Sequence, residues 1–77
     1  NIFPQVLLNV KVAPGYDWQA DSKVVAAVNS ITAQLGNAGR VLIRASGTEP
    51  VLRVMVEAKE LEQAKNCAKT IAATIPV

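Results

Sequence analysis

Apolar and polar residues alternate in three short segments of the chain, a pattern that is typical of half-buried β-strands. The segments run from Gln5 to Val12, from Arg40 to Ser46 and from Val51 to Glu57. After the first and the third segment, apolar residues recur every three or four positions, which predicts two amphipathic helices. The predicted order of elements is therefore strand, helix, strand, strand, helix.

Both predicted helices have suitable residues at their ends. Asp21 or Ser22 can cap the first helix, because their side chains accept hydrogen bonds from the free amides of a first turn. Gly36 suits the C-terminal end of that helix. The second helix has Glu60 and Glu62 near its start, where the helix dipole favours carboxylates.

This order favours an α+β fold, a two-layer sandwich with a mainly antiparallel sheet and both helices on one face. The chain has 77 residues, of which 51% are hydrophobic, and that size suits a single domain, residues 1–77, with one core. The predicted core residues lie on the inward side of the strands or on the apolar stripes of the helices: Val6, Leu8, Val10, Val41, Ile43, Leu52, Val54, Val56, Val24, Val28, Ile31, Leu35, Leu61, Ala68 and Ile71.

The turn between the second and third strands carries residue types that bind phosphate. An arginine offers a planar, permanently charged fork of N–H donors. The hydroxyls of Ser46 and Thr48 and the backbone amides of the turn can add further donors. Gly47 lets the backbone approach a ligand closely or adopt a positive φ. The whole segment is Arg44-Ala45-Ser46-Gly47-Thr48-Glu49-Pro50.

The register of this hairpin is also predicted. A four-residue loop, 47–50, that keeps the apolar sides of both strands on one face places Arg44 opposite Arg53. Like charges that face each other repel, so an anion bound near them would explain the pair. Alternatively, both arginines are simply solvated, or each pairs with Glu49 or Glu57. Glu49 would repel a phosphate if it pointed inward, so we expect it to orient an arginine or to face a hydroxyl or cationic group of a ligand.

The composition excludes several kinds of chemistry. The single cysteine, Cys67, cannot form an internal disulfide and is expected to be a small packed side chain or a thiol on the flank of the second helix. The absence of histidine excludes a histidine-based triad or a Cys/His metal site. No apolar run approaches the ~20 residues of a membrane span. The net charge of +2 with scattered basic residues does not indicate nucleic-acid binding. We therefore expect a soluble cytoplasmic protein without nucleic-acid or membrane partners.

Two aromatic residues, Tyr16 and Trp18, lie in the first loop. They are expected to cover one end of the core, and a sugar-stacking surface is the alternative.

The segment Gly39–Glu57, with Ser-Gly-Thr-Glu-Pro at its centre, closely resembles the phosphate-binding segment in the C-terminal domain of the α-D-phosphohexomutases. The similarity extends over nearly the whole chain, and includes Phe3-Pro4-Gln5, Asn9-Val10 and Leu35-Gly36-Asn37. Members that act on glucosamine phosphate are the most similar, while the Ser-Gly-Thr-Glu-Pro core is shared with phosphomannomutases and phosphoglucomutases.

The resemblance implies a four-domain enzyme that interconverts the 6-phosphate and the 1-phosphate of a hexosamine or hexose. In that family a phosphoserine of the first domain transfers its phosphoryl group through a bisphosphorylated hexosamine or hexose intermediate, and carboxylates of the second domain hold Mg²⁺. The fourth domain has a fold similar to the TATA-box-binding protein. It closes over the cleft and binds the phosphate that is not reacting.

Carried onto this chain, the resemblance assigns phosphate binding to the loop and its flanks and assigns no catalytic or metal-binding residue. The chain alone is therefore expected to be inactive, with a phosphorylated sugar and the other three domains as its partners. A free-standing α+β module that binds phosphorylated metabolites or packs against a partner is the alternative, and the upstream coding region would distinguish the two. The implied phosphate-binding residues are Arg44, Ser46, Gly47 and Thr48, with Arg53 and Glu49 as supporters.

Overall fold

A computed structural model of the chain describes residues 3–76, and residues 1, 2 and 77 lie outside the described residues. Three strands form one antiparallel sheet in the spatial order β1-β3-β2, and both helices pack on the same face of it, with α1 against β2 and α2 against β1 and β3. The predicted two-layer α+β sandwich and its order of elements are confirmed. The elements are β1 (Gln5–Lys11), α1 (Ser22–Leu35), β2 (Arg40–Ala45), β3 (Val51–Glu57) and α2 (Leu61–Thr74).

The ends of α1 are fixed by the residue types that the sequence indicated. Asp21 is the N-cap, and its carboxylate accepts a hydrogen bond from the backbone N–H of Lys23 at 3.1 Å. Gly36 is the C-cap with φ of 56°, and its N–H donates to the carbonyl of Thr32. This is a backbone conformation that glycine adopts without the steric cost of a Cβ.

The core lies between the helices and the inward face of the sheet, and β3 is at its centre. Leu52, Val54 and Val56 of β3 are at most 1% exposed. The other buried residues are mainly contributed by the helices: Val24, Ile31, Leu35, Ala58, Ala64, Cys67, Ala68, Ile71 and Ile75. The remaining predicted core residues of the sheet, with Val28, are partly buried and pack against this cluster: Val6, Leu8, Val10, Val41 and Ile43.

The prediction that Leu61 belongs to the core is wrong, since its side chain is 48% exposed. The buried residues of α2 are Ala64, Cys67, Ala68 and Ile71. These four residues form the buried stripe of α2, which extends towards Cys67. At ~100° per residue around the helix axis, Leu61 lies about 70° from the centre of this stripe. Apolar spacing alone left this rotation of α2 undetermined.

Gly39 has a structural role that the sequence analysis missed. It precedes β2 and lies against the backbone at the end of β3, where a Cβ at position 39 would collide with the carbonyl oxygen of Glu57. Its φ of 173° is extended, which any residue can adopt. Glycine is therefore needed at position 39 because there is no room for a side chain. Any side chain here would push apart the two strands that carry the hairpin.

The first loop is closed by a hydrogen bond between two side chains. The Tyr16 hydroxyl donates to Oδ2 of Asp21 at 2.7 Å, so the cap of α1 also holds the loop. Tyr16 and Trp18 are half-buried and pack against the core. The expectation that these aromatics cover one end of the core is thus confirmed.

This hydrogen bond predicts a shifted titration of the single tyrosine. Partial burial, with the bond to Asp21, raises the pKa of Tyr16 to about 12. The same bond lowers the pKa of Asp21. Because folding raises the pKa of Tyr16, the protonated tyrosine stabilises the folded chain. This stabilisation is complete at pH values below the pKa of the unfolded chain and is lost as the pH rises towards 12. The aspartate contribution is lost in acid, as the pH falls through its lowered pKa.

Ultraviolet absorbance titration of the native and the denatured chain measures the tyrosine pKa directly, because the chain contains one tyrosine. Asp21→Asn retains a good N-cap but removes the charge, so we expect it to bring the native pKa down towards the denatured value. Equal native values in the two proteins would contradict the role of Asp21.

Candidate phosphate-binding site

The β2–β3 hairpin pairs Arg44 directly with Arg53, as the loop length predicted. Directly opposed residues of an antiparallel pair have Cβ atoms about 4.5–5.5 Å apart on the same face of the sheet. Both arginines are exposed, on the face opposite to the helices. The hairpin therefore concentrates two permanent positive charges within one strand spacing.

No carboxylate of residues 3–76 forms an ion pair with either arginine. Glu57, one of the partners considered, instead pairs with Arg40, with 3.6 Å between Oε1 of Glu57 and Nε of Arg40. Glu49, the other, is exposed on the loop. Neither arginine therefore pairs with Glu49 or Glu57, and the positive charges of Arg44 and Arg53 remain available to a ligand.

Backbone hydrogen bonds anchor both ends of the hairpin loop. The N–H of Ser46 donates to the carbonyl of Val51 at 2.9 Å, which closes the hairpin. The N–H of Val12 donates to the carbonyl of Pro50 at 2.8 Å, which ties the loop to the chain after β1. The loop is thereby held at a defined position beside the two arginines.

Inside the loop, Ser46 acts as a hydrogen-bond acceptor. Its Oγ receives the backbone N–H groups of Thr48 and Glu49, each at the long distance of 3.4 Å. An accepting hydroxyl keeps its own hydrogen free to donate. The Ser46 O–H can therefore point towards an anion while its oxygen orders the loop.

Gly47 leaves the backbone of the loop uncovered. Its φ is not positive, so the positive-φ alternative for this residue is wrong. A Cβ at position 47 would meet nothing within 4 Å, so the loop surface is open at this point. A ligand can approach the backbone here, which agrees with the other role considered for this glycine.

A cavity of about 240 Å³ lies between the hairpin loop and the loop that follows β1. Its lining includes Ala45 and Leu52, which pair with each other, and also Ser46 and Val51, which follow and precede them along the chain. Sequence reasoning missed this cavity because loops distant in sequence form it together. Its full lining is Val12, Ala13, Gly15, Tyr16, Ala45, Ser46, Glu49, Pro50, Val51 and Leu52.

Other reactive groups in the described part of the chain do not form a second site. Across residues 3–76, no group of three or more His, Cys, Asp and Glu residues is arranged to hold a metal ion. Burial raises the pKa of the Cys67 thiol, which disfavours the reactive thiolate. In the same residues, no helix has the length and apolar character needed to cross a membrane.

Residues 7–74 match the family model described as the phosphoglucomutase/phosphomannomutase C-terminal domain. The chain belongs to this phosphohexomutase family. Curated relatives include phosphoglucosamine mutase of Herminiimonas arsenicoxydans, 57% identical over 99% of this chain and 17% of the relative. Phosphoglucosamine mutase of Acidovorax ebreus is 59% identical over 92% of this chain and 16% of the relative. The chain thus spans about a sixth of the length of these phosphohexomutases.

A solved phosphohexomutase structure has the same fold. The N-acetylphosphoglucosamine mutase of Aspergillus fumigatus, in complex with GlcNAc-6P and magnesium, aligns with a TM-score of 0.74 and 30% identity. The alignment covers 94% of this chain and 16% of the fungal chain. The predicted resemblance to the phosphohexomutases is confirmed in sequence and in structure.

Proposed function

We propose that this chain is the phosphate-binding domain of a longer phosphoglucosamine mutase, which interconverts glucosamine 6-phosphate and glucosamine 1-phosphate. The opposed Arg44 and Arg53, without a carboxylate partner in residues 3–76, carry this proposal. The names of the bacterial relatives support the choice of substrate, and the chain's small share of their length supports a multidomain parent.

In this proposal the domain binds the phosphate that is not being transferred. A phosphate dianion between the two guanidinium groups relieves their repulsion and accepts charge-assisted, bidentate hydrogen bonds. Phosphoryl transfer is accelerated mainly by positioning and by electrostatic stabilisation. A domain that fixes one phosphate of the sugar therefore contributes to catalysis without touching the phosphoryl group in transit.

The hairpin loop supplies the neutral donors of the site. The hydroxyls of Ser46 and Thr48 and the open backbone at Gly47 lie next to the arginine pair in sequence, at the end of the hairpin where the ligand would enter. Glu49 has no ion-pair partner among residues 3–76. We assign its carboxylate to the hydroxyl or ammonium groups of the sugar, away from the phosphate.

The metal ion and the phosphoryl-carrying serine belong to other domains of the parent in this proposal. The fungal relative was solved with magnesium, but the described residues of this chain contain no cluster of ligands suited to a metal ion. The bisphosphorylated sugar intermediate would be held by this domain at one phosphate only. The isolated chain is accordingly expected to bind and not to catalyse.

A phosphomannomutase or phosphoglucomutase parent is the second candidate, because the matching family model covers both activities. The phosphate site would be the same in either case. The residues that choose the sugar would lie in the other domains, so the comparison of sugar phosphates has to be made on the full-length enzyme.

Amide NMR titration of this chain with glucosamine 6-phosphate tests the phosphate site, with unphosphorylated glucosamine at matched salt as the control. We expect saturable shifts for residues 44–48 and Arg53 with the phosphate ester only, and their loss in Arg44→Ala. Shifts of equal size with glucosamine, or shifts that persist in the variant, would contradict a phosphate site at the arginine pair.

A further inference from the structure

The free face of the sheet carries two polar rows that cross all three strands. Each row has an amide residue on β1, a charged residue on β3 and an arginine on β2. An apolar row, formed by Leu7, Met55 and Leu42, separates them. The polar rows are Gln5–Glu57–Arg40 and Asn9–Arg53–Arg44.

The first row satisfies its own charges. Nε2 of Gln5 donates to Oε1 of Glu57 at 2.9 Å, and Nε of Arg40 lies 3.6 Å from the same carboxylate oxygen. The row shows that an amide on β1 reaches the central strand in this register. It also shows that one carboxylate on the central strand can interact with the side chains on both neighbouring strands.

The second row has the same layout but an arginine at its centre. Asn9 stands opposite Arg53 as Gln5 stands opposite Glu57, and Arg44 stands on the other side. Two guanidinium groups and one amide present many donors, and the only side-chain acceptor among the three residues is the amide oxygen of Asn9. The row lacks the anion that the first row contains.

We propose that Asn9 completes the phosphate site, so that the anion is bound by a row of three residues across the sheet. With the anion bound, its amide oxygen would accept a hydrogen bond from Arg53 and hold that guanidinium in place, while its NH₂ group would donate to the phosphate. Asn9 is thus a positioning and binding residue of the proposed site. This inference rests on the proposed function.

The neighbouring rows set the limits of this three-residue site. On the loop side, exposed Lys11 pairs with Val51 and adds positive charge. On the other side, Leu7 is 58% exposed and Leu42 is 38% exposed, and these apolar side chains offer nothing to an anion. The phosphate is therefore confined to the end of the sheet that adjoins the hairpin loop.

Asn9→Asp in the full-length enzyme tests the role of Asn9, because it supplies the carboxylate that the row lacks. The new carboxylate should pair with Arg53, as Glu57 pairs with Arg40, and exclude the phosphate. We expect the KM for glucosamine 6-phosphate to rise roughly tenfold or more, the scale of one charge-assisted hydrogen bond. The melting temperature should match that of the control, and Asn9→Gln, which keeps the amide, should retain most of the affinity.

The matched control is Asn29→Asp, which makes the same charge change on the exposed side of α1. Equal KM values for the two Asp variants, with Arg44→Ala strongly impaired, would overturn the role of Asn9 and leave the phosphate site standing. The role of Asn9 would also be overturned if Asn9→Asp and Asn9→Gln raised the KM alike and both lowered the melting temperature. If neither Asn9→Asp nor Arg44→Ala impaired the enzyme, the proposed function itself would be overturned.

Discussion

If the proposed function is correct, Arg44→Ala in the full-length phosphoglucosamine mutase is expected to lower kcat/KM for glucosamine 6-phosphate by roughly ten- to a hundredfold. A hydrogen bond to a charged group contributes about 1.5–3 kcal/mol, and each 1.36 kcal/mol corresponds to about a factor of ten in rate. The substitution removes one of two guanidinium groups that face each other across the hairpin. Steady-state kinetics in both directions measures the effect.

Arg40→Ala is the matched control for this experiment. Arg40 lies on the same strand and the same face as Arg44, but it already pairs with Glu57. Its removal takes away the same charge from the domain and leaves the proposed site intact. Similar losses in the two variants would attribute the effect to net charge, and an unimpaired Arg44→Ala enzyme would refute phosphate binding at this position.

Ile71→Ala is expected to destabilise the domain by about 2–5 kcal/mol, the usual cost of shortening a buried aliphatic side chain. Ile71 is fully buried on α2, within the cluster that includes Val54 and Val56 of β3. Chemical denaturation measures the loss of unfolding free energy. Phosphate binding under conditions where the variant remains folded should be unchanged, because Ile71 lies on the side of the sheet away from the arginines.

Leu61→Ala provides a control on the same helix with a change of comparable size. Because Leu61 is 48% exposed, its truncation leaves no cavity and should have little effect on stability. Equal losses for Leu61→Ala and Ile71→Ala would contradict the rotation of α2 described above, and would restore the prediction that Leu61 is a core residue.

The elements and the hairpin register were predictable because local rules determine them. Period-two alternation defines a half-buried strand, and a four-residue loop between two such strands leaves one register that keeps both apolar sides together. The opposition of Arg44 and Arg53 follows from that register alone. The cap of α1 was narrowed to Asp21 or Ser22, and the geometry of the first turn selects Asp21.

What the sequence did not determine depends on contacts between distant segments. The neighbours of β1 were not predicted, so Asn9 could not be placed beside Arg53 until the order β1-β3-β2 was known. Leu61 was assigned to the core because spacing does not fix the rotation of a helix against a sheet. The close approach of Gly39 to the end of β3 was not predicted, because it is a tertiary contact.

The alternation along β3 makes the length of that strand as important as its composition. Leu52, Val54 and Val56 point into the core, while Arg53, Met55 and Glu57 lie on the free face. Inserting a single residue into β3 would exchange the two sets, burying a guanidinium and exposing valines. The helix layer contacts only one set, so it can accept many substitutions without affecting recognition. The domain should therefore be open to redesign for heat resistance through α1 and α2, and intolerant of any insertion or deletion in its central strand.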